Sequence, residues 1–149
     1  MDLTVFKVRL AKLKEKLRDN NIETAIITDE DNVYYLCGYY DYLHMDFGRP
    51  TLLIISVDRE ILLITPAIDL NTAQEAACVD RISAWNDGMG EEWREELPQI
   101  LQKSGRIAIE PDQMPPIVKR YIDQEVPSNQ VTNVTPILST MRMVKSDEE

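Results

Sequence analysis

The spacing of apolar residues near the start of the chain predicts an amphipathic helix. Phe6, Leu10, Leu13 and Leu17 recur every three or four positions, with Lys and Arg between them. This pattern gives a helix one apolar side and one charged side, and the charged side is expected to face solvent. The helix should end at the polar residues 19–21.

Short runs of apolar and β-branched residues predict strands. The clearest is a hairpin, in which residues 51–57 and 61–65 are joined by the polar residues 58–60. Further strands are expected at residues 24–28, 81–85, 106–109 and 131–134. Between the first of these strands and the hairpin, residues 29–32 form a turn and helix-cap signal. An aromatic run at residues 33–36 follows and closes at Gly38.

Helical patterns fill most of the other intervals. The predicted helices lie at residues 66–77, 91–103, 115–125 and 136–141. Pro98 falls inside the second of them and should distort it, because proline has no N–H to donate. Alternating strands and helices predict an α/β domain with three layers, in which helices flank a β-sheet. The hairpin makes that sheet mixed.

Composition and charge narrow the classes of function. The 149 residues fit one domain, and the formal net charge is −10. An acidic body repels phosphate backbones, so the chain is not expected to bind nucleic acid. Its apolar runs, such as residues 52–55 and 61–64, are too short to span a membrane. A cytoplasmic location, with no membrane partner, is therefore expected.

The residues that usually carry chemistry are few. Cys37 and Cys78 lie in no CxxC motif and are expected to be buried small hydrophobic residues. The single histidine, His44, lies near Asp41 and Asp46, but the spacing matches no metal site. No nucleophile or nucleotide-binding motif occurs. The sequence thus predicts no catalytic residue and no metal site of its own.

The segment Phe47-Gly48-Arg49-Pro50 is the candidate binding site. A guanidinium presents a planar fork of donors that can hold a carboxylate, and an adjacent aromatic ring can exclude water. The alternative is a surface ion pair between Arg49 and Asp41 or Asp46, which would contribute little. The residues alone leave both interpretations open.

The last residues have the pattern of a helix start. Ser146 is suited to the cap, and acidic residues 147–149 suit the first turn. We expect a domain boundary here, with residues 1–143 forming one domain and 144–149 beginning a linker or helix into another. A frayed acidic tail is the alternative.

Three segments together resemble the amino-terminal domain of the creatinase/prolidase family. Residues 32–39 resemble its N-(I/V)-x-Y-L-(S/T)-G-(F/Y) segment, and the first helix is similar to its R-(L/x)-x-x-L-(R/K) opening. Residues 141–149 resemble (L/M)-R-x-(I/V)-K-(S/D)-x-x-E, the joint to a pita-bread catalytic domain.

The resemblance implies that a full-length protein would be a Xaa-Pro peptidase, a creatinase or a related C–N hydrolase, and a homodimer. Its substrate would be a Xaa-Pro peptide or a small molecule bearing a carboxylate. Peptidase members hold two divalent metal ions in the pita-bread domain, whereas creatinase uses a histidine there without metal. All these groups would lie beyond Glu149, so this chain alone should be inactive and hold no cofactor.

The resemblance also gives Phe47 and Arg49 a role. In creatinase a Phe-Gly-Arg loop reaches into the neighbouring subunit and holds the carboxylate end of the substrate. The prolidase pattern D-x-R-Y-x-x-Q-A is retained only at Gln74 and a nearby alanine. This departure favours a creatinase-like member over a strict proline dipeptidase. The alternative function is a non-enzymatic, peptidase-like module that binds proteins.

Overall fold

The computed structural model describes residues 3–40, 50–85 and 94–143. The candidate residues Phe47 and Arg49 and the linker at residues 144–149 lie outside these ranges. The strands are β1 (Thr24–Ile27), β2 (Leu52–Ser56), β3 (Ile61–Pro66), β4 (Arg81–Trp85), β5 (Ile107–Ile109) and β6 (Val131–Asn133). The helices are α1 (Leu3–Asp19), α2 (Glu30–Cys37), α3 (Leu70–Ala76), α4 (Leu97–Lys103), α5 (Pro116–Glu125) and α6 (Thr135–Met143).

The strands form one six-stranded sheet in the order β4-β3-β2-β1-β5-β6. β2 is antiparallel to β3, as the predicted hairpin requires, and it is also antiparallel to β1. The other pairs are parallel. The mixed sheet is therefore confirmed. Because only β2 runs in the opposite direction, the other five strands end at one edge of the sheet, where β2 begins. We call this the carboxyl edge.

Alternate strand residues point to opposite faces of the sheet and form two cores. On one face, Ala25 and Ile27 of β1 pack with apolar residues of α1, α2, α3 and α6. On the other face, Ile26 and residues of β2 and β5 pack with α4 and α5. Both faces of the sheet are thus covered, which confirms the α/β fold with a mixed sheet flanked by helices.

Two predictions about prolines near helix starts differ from the structure; residues 91–93 of the predicted helix 91–103 lie outside the described ranges. Pro98 does not distort a helix, since α4 begins at Leu97 and Pro98 occupies its first turn, where no intrahelical N–H is needed. Pro66 ends β3, and a 3-10 turn at Ala67–Asp69 precedes α3, which begins only at Leu70. In both places the effect of the proline on the helix depends on its position relative to the first turn.

The two cysteines have different environments. Both are free; Cys37 is fully buried, as predicted, whereas Cys78 is only half-buried. Burial away from water raises the pKa of the Cys37 thiol to about 12. The reactive thiolate is therefore scarce at Cys37 at any physiological pH.

We expect a disulfide reagent such as Ellman's reagent to modify one thiol of the native protein quickly at pH 8 and both thiols after denaturation. The fast thiol should be Cys78, because Cys37 is both inaccessible and protonated. The Cys78→Ser variant is the control and should show no fast reaction. A second fast thiol in the native protein would contradict the buried position of Cys37.

Candidate functional site

Residues from all three motif segments meet around the ring of Tyr35 on α2. The guanidinium carbon of Arg9 lies 4.2 Å from the centroid of that ring, and that of Arg142 lies 5.8 Å from it. Arg9 Nη1 donates a hydrogen bond to the Tyr35 carbonyl at 2.8 Å, and the Tyr35 hydroxyl donates to the Met141 carbonyl at 3.4 Å. The first, second and last helices are thus joined by one tyrosine.

Arg9 departs from the prediction that the basic residues of α1 form a solvated face. Its exposed fraction is only 7%, and it lies on the same side of the helix as Phe6 and Leu10. A buried cation needs compensation, which the Tyr35 ring face and carbonyl provide.

A buried carboxylate, Glu110, extends this arrangement to the carboxyl edge. Oε1 of Glu110 accepts from the backbone N–H groups of Thr28 and Asp29 at 2.9 and 3.1 Å. Oε2 accepts from Asn32 Nδ2 at 2.7 Å, and Asn32 Oδ1 accepts from Arg142 Nη1 at 3.0 Å. Arg9, Asn32, Tyr35, Glu110 and Arg142 therefore form a single unit, which we call the motif cluster.

Burial and hydrogen bonding act on Glu110 in opposite directions. The side chain is 2% exposed, and its removal from water raises the pKa of the carboxyl group. The donors at Asn32, Asp29 and Thr28 favour the charged form and offset part of this effect. The carboxylate also lies before the first turn of α2, where the helix dipole favours negative charge.

The position of Glu110 follows from the topology. β1 and β5 are adjacent and parallel, but β1 leads into α2 on one face and β5 leads towards α5 on the other. Such a reversal opens a crevice at the carboxyl ends of the strands, where α/β proteins commonly bind ligands. Here Glu110 and Asn32 fill that crevice with internal hydrogen bonds.

The segment that contains Phe47 and Arg49 is attached at both ends. Before it, the buried Tyr39 forms a hydroxyl–hydroxyl hydrogen bond of 3.2 Å with Thr65, near the end of β3. After it, the Pro50 carbonyl accepts from Trp85 Nε1 at 3.3 Å, at the end of β4. Both attachments therefore use the carboxyl-edge ends of β3 and β4.

The contacts of the motif cluster hold the helices α1, α2 and α6 together. Within residues 3–40, 50–85 and 94–143, no group of three or more His, Cys, Asp or Glu side chains could bind a metal ion. No helix in these ranges is long and apolar enough to cross a membrane. The cluster contains no serine, cysteine or histidine that could act as a nucleophile or a general base.

Sequence reasoning missed Glu110 as a site residue. One signal could have indicated it: a single acidic residue directly follows the buried strand at 107–109 and directly precedes Pro111. Carboxyl ends of central strands meet in α/β sheets, so an acid at that position is a candidate for a buried polar role.

Comparison with known proteins agrees with the fold and the motifs. The family model described as "Creatinase/Prolidase N-terminal domain" matches residues 9–144. The creatinase of Bacillus sp. (strain B-0618) is 24% identical over 145 residues, which are 95% of this chain but 34% of the creatinase.

Two solved structures have the same fold. The creatinase/prolidase N-terminal domain of an X-Pro dipeptidase from Streptococcus pyogenes superposes with a TM-score of 0.76 at 22% identity, covering 90% of this chain and 98% of that one. Dipeptidase PepE from Mycobacterium ulcerans gives a TM-score of 0.78 at 21% identity, covering 100% of this chain and 39% of that one. Because the family model matches residues 9–144, and these structures share the fold, the chain belongs to the creatinase/prolidase N-terminal domain family.

Proposed function

We propose that this chain is the non-catalytic amino-terminal domain of a cytoplasmic, creatinase- or Xaa-Pro dipeptidase-type C–N hydrolase. In this proposal it contributes to dimerisation, and Phe47 and Arg49 bind the substrate carboxylate in the active site of the neighbouring subunit. The observation that carries the proposal is the match to the N-terminal domain family over residues 9–144. The chain spans 34% of the length of the creatinase it resembles.

The attachments at Tyr39 and Pro50 support a binding role for the segment between them. A residue that binds a substrate must be held near its productive position, and rigid supporting elements provide this. Tyr39 is 1% exposed and Trp85 is 4% exposed, so both anchors belong to the packed core. Residues 39 and 50, on either side of the segment, are therefore each bound to the end of a strand.

The reacting groups are assigned to a downstream domain. In a peptidase-type protein that domain would supply the ligands for two divalent metal ions, and in a creatinase-type protein it would supply a histidine. The downstream reading frame distinguishes these classes directly. A frame that stops after residue 149 would instead favour a peptidase-like module that binds other proteins.

We expect Arg49→Ala in the full-length enzyme to lower kcat/KM about 10- to 100-fold for substrates with a free carboxylate, which corresponds to the loss of one charge-assisted hydrogen-bonded pair. Substrates with the carboxylate converted to an amide should lose far less. Steady-state kinetics measures both effects. Arg120→Ala, which removes an exposed arginine of α5, is the matched control.

The contribution across the dimer is tested by mixing subunits. A dimer that combines an Arg49→Ala subunit with a subunit inactivated in its catalytic domain should regain activity, because the second subunit still supplies Arg49 to the intact active site. No recovery, or an unchanged kcat/KM in the homodimeric variant, would refute the role of Arg49.

A further inference from the structure

A polar cleft lies at the edge of the sheet opposite the motif cluster. It has a volume of about 140 Å³ and lies between α4 and the β2–β3 hairpin. Ile54 and Leu62 form its apolar floor, and Arg59, Arg81, Lys103 and two glutamates contribute its charges. Neither the motifs nor the proposed function uses this cleft.

The two carboxylates of the cleft are both bound by one arginine. Arg81 Nε lies 2.6 Å from Glu60 Oε1, and its Nη1 and Nη2 lie 2.9 and 3.0 Å from the two oxygens of Glu96. The hydrogen bonds from Arg81 lower the pKa of the Glu96 carboxyl group and so favour its charged form. Arg59 and Lys103 are the other two charged residues of the cleft. Its three basic and two acidic side chains give it a net positive charge, in a chain whose formal net charge is −10.

Arg59 is held by neutral oxygen atoms. Its Nη2 donates to Ser104 Oγ at 2.9 Å and to Thr24 Oγ1 at 3.4 Å. Ser104 Oγ donates its own hydrogen to the Ile100 carbonyl at 2.7 Å, so the 2.7 Å contact between Thr24 and Ser104 must be donated by Thr24.

The direction of the next bond follows in the same way. Thr24 has used its hydrogen, so the 3.2 Å contact with Ser56 must be donated by Ser56. The three hydroxyls thus form an ordered chain that fixes the guanidinium without neutralising it. Among the residues that the structure describes, no carboxylate lies within ion-pairing distance of Arg59.

We propose that this cleft is a binding site for small oxyanions, in which the remaining N–H groups of Arg59 hold the anion and Lys103 adds a second cation. A fixed guanidinium binds carboxylate or phosphate oxygens with little further loss of entropy. Two sources share this chemistry, inorganic phosphate and a small organic carboxylate. The apolar floor at Ile54 and Leu62 gives the carbon chain of an organic acid a surface to contact.

The test is a titration of the 15N-labelled 149-residue chain, followed by two-dimensional NMR. Sodium phosphate and sodium isobutyrate are added separately, with sodium chloride at matched ionic strength as the reference. We expect saturable shifts at the Arg59 Nε–H and at the backbone amides of Gln99 and Lys103. Saturation by phosphate alone or by isobutyrate alone identifies the source, and either result supports the site.

Variants make the assignment specific. Arg59→Gln should weaken binding at least about tenfold, and Lys103→Gln about threefold. Lys103 is exposed, so its variant tests the site even if Arg59→Gln lowers the stability of the fold. Arg120→Gln on α5 is the matched charge control and should bind as the unmodified chain does.

Three results would overturn the proposal. One is a set of shifts that increases linearly and matches those caused by chloride. Another is unchanged binding by Arg59→Gln and Lys103→Gln. The third is an equal loss of binding in Arg120→Gln, which would show that only the overall charge matters.

Discussion

Replacing Glu110 by alanine should lower the free energy of unfolding by about 4 kcal/mol, because it leaves several buried donors without an acceptor. The buried Thr28 N–H, the Asp29 N–H and the Asn32 amide all donate to this one carboxylate. Each unsatisfied buried group costs about 1–3 kcal/mol. The variant recovers the cost of burying a charge, but the loss at three donors exceeds that gain.

Urea unfolding followed by circular dichroism measures this change. Asp112→Ala is the matched control, since Asp112 is an exposed acid two residues away, and we expect its effect to stay within about 0.5 kcal/mol. Similar losses in the two variants would show that Glu110 acts only through the net charge.

The charge of Glu110 also has a pH signature. Because burial raises its pKa in the folded state, the folded protein binds a proton here more readily than the unfolded chain. Its contribution to stability is therefore greatest below the ordinary glutamate pKa and is lost as the pH rises through the raised pKa. In Glu110→Gln this decline should disappear. The measurement is the free energy of unfolding of the unmodified chain and of the variant, taken at pH values from below the ordinary glutamate pKa to above the raised pKa of Glu110.

Gly38→Ala should lower the free energy of unfolding by about 3 kcal/mol, the sum of a backbone and a packing cost. Gly38 ends α2 in the left-handed conformation, with φ of 86°, and its N–H donates to the Tyr34 carbonyl at 2.8 Å. An added Cβ would lie 2.9 Å from Phe6 Cε2 and 3.1 Å from the Ala76 carbonyl oxygen. The backbone oxygen of Ala76 cannot move away easily.

Thermal unfolding is the measurement for Gly38→Ala, and a fall in Tm of about 10 °C is expected for a domain of this size. Gly105→Ala is the control. There the added Cβ would meet only the end of the flexible Glu23 side chain, and φ is not in the left-handed region. An equal loss in both variants would show that the strain at Gly38 is not the cause.

The elements that the sequence predicted well are those that depend on local pattern. Residues 51–57 and 61–65 form the hairpin within one residue at each end, because β-branched runs on both sides of a polar turn favour only that structure. Pro98 shows the limit of local pattern. Its effect depends on where α4 begins, and the packing of Leu97 into the core fixes that position.

The motif cluster could not be predicted from local pattern. Arg9 has the sequence environment of a solvated helix residue, and its burial depends on Tyr35, 26 positions later. Asn32 and Arg142 are separated by 110 positions and meet only in the folded chain. Resemblance placed these segments in one family, but only the three-dimensional structure shows that they are in contact. The roles of Phe47 and Arg49 stay predictions.

The place of β1 at the centre of the sheet has a consequence for synthesis on the ribosome. Thr24 pairs with Ser56 on one side and with Ile107 on the other, so half of the pairing of β1 is supplied late in translation. A nascent chain that has emerged only through the hairpin exposes one open edge of β1 and the apolar side chain of Ile26. Until residues 107–109 leave the exit tunnel, that edge is a target for chaperones and for intermolecular strand pairing.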